Sequence, residues 1–317
     1  MATNQPQHIP SRNRLVSVIR RHQTTAFFII AYVITWLLWT PIVLLGLPVF
    51  SAARHAPSLY VMPGIAIGVT GTAFLLTALT QGRAGVKRLL ERLTLWRVGP
   101  QWWAVAVLLI PLTALLLALV LGSSDSLNAL APSALFSYPA AYFVHFFFGP
   151  LFEETGWRGF ALPRMQHRFG PFRGSLLLGL LWSAWHFFLY APVWFASGDA
   201  PVGLMSLVTF TVLTTSMTFV FTWLFNNTRA SLLLSILLHG SVDGSITYFQ
   251  VLGDRNIISA NSVGNITGMG MLLACILIAF VLLIATRGNL NYGRYQREAE
   301  TLDLSPSATM PPASVMR

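Results

Sequence analysis

The sequence predicts an all-α, polytopic membrane protein of about eight crossing helices, and three observations carry that prediction. Only 9% of the 317 residues are charged, against about 25% in an average soluble domain. Apolar runs of about 20 residues, enough to cross a hydrocarbon core about 30 Å thick, recur along the chain. The basic residues fall on alternate sides of those runs, the pattern that sets orientation in a bilayer.

The elements follow in order. Residues 1–23 form a polar tail carrying Arg12, Arg14, Arg20 and Arg21. The apolar run 24–47 exceeds the ~7–15 residues of a signal-peptide core, so it reads as a retained anchor. Further spans are expected at 60–80, 102–121, 138–155, 174–195, 202–225, 231–250 and 267–286, which makes 24–286 the transmembrane domain. Between the second and third spans, 83–97 carries Val86, Leu89, Leu90, Leu93 and Trp96 at helical spacing with basic residues between them. That pattern predicts an amphipathic helix lying at the membrane surface. The segment 287–317, rich in Ser, Pro and Arg, is expected to be a disordered tail.

Charge placement tests this layout. With a cytoplasmic N-terminus, four basic residues precede residue 24, five lie in 81–101, four in 156–173, one at Arg229 and four after 286. The opposite side keeps only Arg54 and Arg255. Both termini are therefore expected in the cytoplasm. The net charge of +10 suits contact with anionic lipid, not a nucleic-acid groove. Cys275 stands alone in an apolar run, which leaves no disulfide framework and no cysteine metal site. Lys87 is the only lysine beside many arginines, a bias in keeping with GC-rich coding and a bacterial plasma membrane. No internal repeat is visible, which argues against a transporter built from inverted halves.

Ionisable groups inside a membrane are costly, by some scales about 2.5–3.5 kcal/mol each, and mark function by default. Here they cluster in three spans: Glu153, Glu154 and Arg158; His186; and His239 with Asp243. At 1.5 Å per residue, His186 lies roughly 18 Å along its helix, His239 roughly 12 Å, and Glu153 roughly 16 Å from the polar segment that follows. All three fall in one layer on the cytoplasmic side of the midplane. Glu154 and Arg158 are four apart, so the guanidinium can neutralise that carboxylate. Glu153 is turned about 100° away, free to face a cavity. His239 and Asp243 share a face, and Trp182 and Trp185 can wall a pocket beside His186. A carboxylate and two imidazoles suit hydrolysis: Glu153 as general base on water shared with His186, with His239 and Asp243 at the developing oxyanion. The same Glu153, His186 and His239 can alternatively bind a divalent metal such as zinc with an open position. The HExxH zinc signature is absent.

These residues resemble one family specifically. Glu153-Glu154-Thr155-Gly156-Trp157-Arg158 matches EExxxR of the CPBP family, the CAAX prenyl proteases and bacteriocin-processing enzymes. Trp182 to His186 stands where that family has FxxxH, with Trp replacing Phe, and His239 to Asp243 where it has HxxxN or HxxxD. The resemblance covers about 138–250, the expected catalytic core. It implies an intramembrane endopeptidase of eight helices acting on a peptide or membrane-protein substrate near the cytoplasmic leaflet. Glu153 and His186 would activate water, His239 and Asp243 would hold the oxyanion, and Glu154 and Arg158 would shape the site. The family has been described both as metalloproteases and as glutamate-dependent proteases. An ionised Asp243 accepts hydrogen bonds but cannot donate one, so it must be protonated, bind metal or orient His239. A proton-coupled transporter and a non-catalytic immunity or scaffold protein are the competing readings. Other residues read as structural: His145, eight residues before Glu153 and so nearly on the same side of one helix, as packing or a helix–helix hydrogen bond, Gly64 and Gly68 as a helix contact, Phe146 to Phe148 as core or lipid-facing bulk, and Arg164, His167 and Arg168 as a solvated face.

Overall fold

A computed structural model describes residues 11–51 and 56–301. The described chain is helical apart from one two-residue antiparallel pair, Phe50–Ser51 with Ala56–Pro57. The helices are α1 (Ser11–Arg21), α2 (Gln23–Leu44), α3 (Leu59–Leu93), α4 (Pro100–Val120), α5 (Tyr138–Phe147), α6 (Pro150–Trp194), α7 (Ala200–Asn227), α8 (Leu232–Asp254), α9 (Ala260–Ala285) and α10 (Tyr292–Thr301). Seven of them, α2 to α4 and α6 to α9, are long and apolar enough to cross a membrane. The chain is a multi-pass integral membrane protein.

The difference from the expected eight spans lies at 138–155. That segment is not one helix. Phe148 leaves the helical region and Gly149 takes φ 119°, ψ −78°, a conformation open to glycine and strained for other residues. Pro150 then starts a new helix at the position where a missing N–H costs nothing. Glu153 and Glu154 therefore stand in the first turns of α6, not at the end of a preceding span. A second break at Gly170 (φ 76°, ψ 166°) divides α6 into two arms, 150–169 and 171–194. Gly82 (φ 64°) likewise turns α3 before its basic end, so 83–93 follows as the expected amphipathic segment, with Leu89 buried and Leu90 exposed.

The helix α8 is the axis of the bundle. Buried residues make up 78% of its most apolar stretch, against 33% for α2, α4 and α7. Those outer helices are apolar all round, as lipid-facing helices must be. Polar groups and small residues then decide where helices touch. A Cβ on Gly64 would come within 2.3 Å of the Trp39 indole and one on Gly68 within 2.0 Å of the Thr35 hydroxyl. Glycine there lets α2 close on α3, and Trp39 and Thr35 donate across the gap to the carbonyls of Val61 and Gly64. The hydroxyl of Thr70 donates to the carbonyl of Phe152, fixing α3 beside the first turn of α6. Tyr142 on α5 donates to the carbonyl of Leu237 on α8 at 2.5 Å.

Two expectations are corrected. Residues 292–301, assigned to a disordered tail, form α10, and its Tyr295 is buried against Phe225; 302–317 lie outside the described residues. Arg164, expected on a solvated face with His167 and Arg168, is 7% exposed. Its guanidinium donates to Gln23 and to the carbonyl of Phe160, whereas His167 and Arg168 are exposed.

Candidate active site

The two arms of α6 and the helix α8 surround a cavity of about 650 Å³ whose lining includes Glu153, His186, His239 and Asp243. Each group reaches it for a local reason. The bend at Gly149 lets α6 begin inside the bundle, and the Glu153 N–H closes the first turn on the Gly149 carbonyl at 2.9 Å. Glu153 is thus buried at 5% exposure, yet faces the space. Its Oε2 accepts the indole N–H of Trp182 at 2.8 Å, from the other arm of the same helix.

His186 lies one turn beyond Trp182. Its Nδ1 is 2.9 Å from the Trp182 carbonyl, which can only accept, so Nδ1 carries the proton. In the neutral ring Nε2 is then an acceptor, and it lies 4.0 Å from Glu153 Oε2. That separation is too long for a direct hydrogen bond and right for one water touching both. Tyr190 stacks on the imidazole and Phe210 meets it edge-on, so the ring has little freedom to turn.

The other half of the site rests on a fully buried ion pair. Arg158 Nη1 is 2.9 Å from Glu154 Oε1, and both side chains are 0% exposed. The same oxygen is 2.9 Å from His239 Nδ1, so one carboxylate takes two charge-assisted donors. The guanidinium lies between the rings of Trp182 (4.3 Å) and Phe221 (3.8 Å), a position suited to its flat, weakly hydrated shape. With Nδ1 committed to Glu154, His239 presents Nε2 to the cavity, 3.5 Å from Asp243 Oδ2.

All six predicted residues are brought together: four line the cavity and Glu154 with Arg158 stand behind it. Trp182 and Trp185 wall the pocket as expected. Three residues carry more than the sequence suggested. Phe148, read as bulk, lines the cavity. So does His145, read as packing or a helix–helix hydrogen bond; it makes that bond to Thr247 on α8, and its Nδ1 lies 4.0 Å from Asp243 Oδ2. Arg92, read within the surface helix, donates to the carbonyls of Arg158, Gly159 and Ala230. The first two belong to a π-helical turn, Trp157–Ala161, whose wider winding frees carbonyls from the ordinary ladder.

The donor set was also weighed as a metal site. Among the described residues, no three His, Cys, Asp or Glu side chains are grouped so as to hold a metal ion. Both Nδ1 atoms are engaged by protein oxygens, one Glu153 oxygen holds an indole proton, and His239 Nε2 faces Asp243.

Comparison with known proteins agrees with the resemblance seen in the motifs. Residues 135–245 match the family described as type II CAAX prenyl endopeptidase Rce1-like. The chain is also 25% identical over 271 residues to CAAX prenyl protease 2 of Methanococcus maripaludis, covering 82% of this chain and 94% of that protein. The matched segment runs from α5 through the first half of α8 and holds every residue of the site. At the level of the family, the match is to membrane-embedded endopeptidases.

Proposed function

We propose that this protein is an intramembrane endopeptidase that cleaves a lipidated or otherwise apolar peptide by attack of a water held between Glu153 and His186. The observation that carries the reading is the pairing of Glu153 Oε2 and His186 Nε2 across 4.0 Å inside one cavity. Glu153 takes a proton from that water as general base while His186, its tautomer set by the Trp182 carbonyl, fixes the lone pair toward the scissile carbonyl. As the tetrahedral intermediate forms, negative charge grows on the former carbonyl oxygen. His239, protonated on Nδ1 by its bond to Glu154, donates from Nε2 to that oxygen when doubly protonated. Arg158 holds Glu154 in place for this role through its 2.9 Å contact. The C–N bond then breaks as the proton held by Glu153 passes to the leaving amine; the oxygen of the attacking water stays in the new carboxyl group, and a second water takes its place beside the regenerated carboxylate.

The cavity wall supports the substrate class. Trp39, Trp185, Tyr190, Trp194 and Phe210 line it beside the polar groups, a surface that takes apolar chain and not a solvated loop. This agrees with the prenyl-protein substrates that the name of the relative implies. The distribution of basic residues supports a cavity on the cytoplasmic side, and the excess of arginine over lysine supports a bacterial plasma membrane. A carrier using these groups as a relay would need titratable side chains continuing from them across the bundle, and the acidic and imidazole groups of the cavity, Glu153, His145, His186, His239 and Asp243, stay in one cluster.

The test is cleavage of fluorogenic peptides, with and without a C-terminal isoprenyl group, by protein reconstituted in lipid vesicles. Glu153→Gln keeps the size and the indole bond but removes the base, and should lower kcat about 10²–10⁴-fold with the protein still folded. Unchanged cleavage by that variant would refute the reading. A phenotype in cells that survives the same change would favour the immunity or scaffold role.

A further inference from the structure

The side chain at 243 poses a problem for the hydrolytic reading above, on which this inference rests. An ionised Asp243 3.5 Å from His239 Nε2 competes for the very N–H that the oxyanion needs, since a carboxylate only accepts. Something must draw it off. One group is placed to do so. His145, on α5, is 4% exposed and lines the same cavity. Its Nε2 is 2.7 Å from the Thr247 hydroxyl. Its Nδ1, buried and with no hydrogen-bond partner, faces Asp243 Oδ2 at 4.0 Å.

We propose that His145 is a positioning residue of this site, drawing the Asp243 carboxylate away from His239 so that His239 Nε2–H is free for the oxyanion. In the tautomer this role requires, His145 Nε2 accepts from the Thr247 hydroxyl 2.7 Å away and the ring proton sits on Nδ1, the atom facing Asp243. A shift of about 1 Å brings that N–H to hydrogen-bond distance of the carboxylate. No such shift is needed along α8: Asp243, Thr247 and His239 share its cavity face at four-residue spacing. His145 comes from the neighbouring helix, so the carboxylate is held from two sides. The arrangement also accounts for aspartate at a position where asparagine does the simpler job. Asparagine carries its own donor and no charge to be drawn off; aspartate requires a second imidazole.

The proposal makes His145 matter only while residue 243 is charged. In vesicle-reconstituted protein, His145→Gln should lower kcat at least tenfold with KM unchanged when Asp243 is present. In the Asp243→Asn background the same change should cost less than about twofold. Equal losses in the two backgrounds, or no loss with Asp243 in place, would overturn the proposal, because a packing role does not depend on the charge at 243. If His145→Gln fails to fold, Thr247→Val leaves the imidazole in place and removes only the hydroxyl that fixes its proton. It should show the same dependence on residue 243, and an equal loss in both backgrounds would again overturn the idea. Glu153→Gln assayed alongside separates the two readings. Full activity there defeats the hydrolytic mechanism itself, whereas an inactive Glu153→Gln with background-independent His145 losses defeats only the role of His145.

Discussion

The buried pair of Glu154 and Arg158 offers the sharpest quantitative test, because stability and catalysis should respond to it differently. Both side chains are fully buried, and a single 2.9 Å contact joins them. Glu154 Oε2 and Arg158 Nε make no hydrogen bond, so removing Arg158 leaves the buried Glu154 with His239 alone, and removing Glu154 leaves the guanidinium with the Thr218 hydroxyl and its two flanking rings but no counter-charge in contact. Such a loss costs about 3–5 kcal/mol. Arg158→Met should cost that much. Glu154→Gln should cost somewhat less, since the amide oxygen still receives Arg158 and His239. Two independent losses would sum to as much as about 6–10 kcal/mol, but neighbours in one charge pair do not add. The double variant leaves no unpaired charge in the interior, and apolar or neutral replacements of buried pairs are often tolerated. It should recover to within about 2 kcal/mol of the native protein. Catalysis should not recover. With no charge on residue 154, His239 loses the support for a second proton, and kcat should stay on the order of 10²-fold down, the scale of a lost oxyanion donor. Thermal or denaturant unfolding of detergent-purified protein gives the first quantity and peptide cleavage the second. A double variant no more stable than either single one would show that the pair is uncoupled. A double variant with native kcat would show that Glu154 serves the fold alone.

Two further outcomes test the frame around the site. Gly149→Ala forces a side chain into φ 119°, where strain is of order 1–3 kcal/mol; it should lower the unfolding temperature and cut kcat by displacing Glu153, and an unaffected enzyme would remove Gly149 from the account. Outside the spans, Asp125 accepts from the Ser262 hydroxyl and from the Ser259 N–H at 2.6 Å, and these bonds, the Ser262 one foremost, hold its carboxyl below the usual range. Because the folded value is depressed, the contribution is complete above the ordinary carboxylate value of about 4 and fades as pH falls through the folded one. Amide exchange at Ser259 should therefore accelerate relative to its neighbours only below about pH 4, and Asp125→Asn should remove that pH dependence.

Much of this architecture is written in the apolar runs, because crossing a bilayer forces about 20 such residues to be consecutive. The spans 24–47, 102–121, 202–225 and 267–286 each correspond to a helix for that reason. The segment 138–155 misled because Phe148-Gly149-Pro150 was read through. Glycine followed by proline is a break signal, and the apolar residues on both sides masked it. Site pairs at four-residue spacing were legible, since helix geometry alone places Glu154 beside Arg158 and His239 beside Asp243. Contacts between helices were not. One continuous helix would put His145, eight residues before Glu153, on nearly the same side, whereas the bend at Gly149 and the packing of α5 on α8 set its actual neighbours. The indole bond from Trp182 to Glu153 and the reach of Arg92 to the π-helical turn are likewise tertiary. Arg164 shows the opposite error: a cation judged solvated by composition finds Gln23 and a carbonyl in the interior.

The turn at Gly170 has a consequence for biogenesis. It joins the two arms that carry Glu153 and His186, only 33 positions apart, into a single hairpin that can enter the bilayer as one unit. Synthesis runs from the N-terminus, so these partners meet before His239 has left the ribosome. The nascent chain therefore holds its hydrolytic pair early and gains its electrophilic half late, when the central helix slots between elements already inserted. On the hydrolytic reading proposed above, the site is complete only once that helix is in place, so cleavage should begin only after nearly the whole bundle has closed.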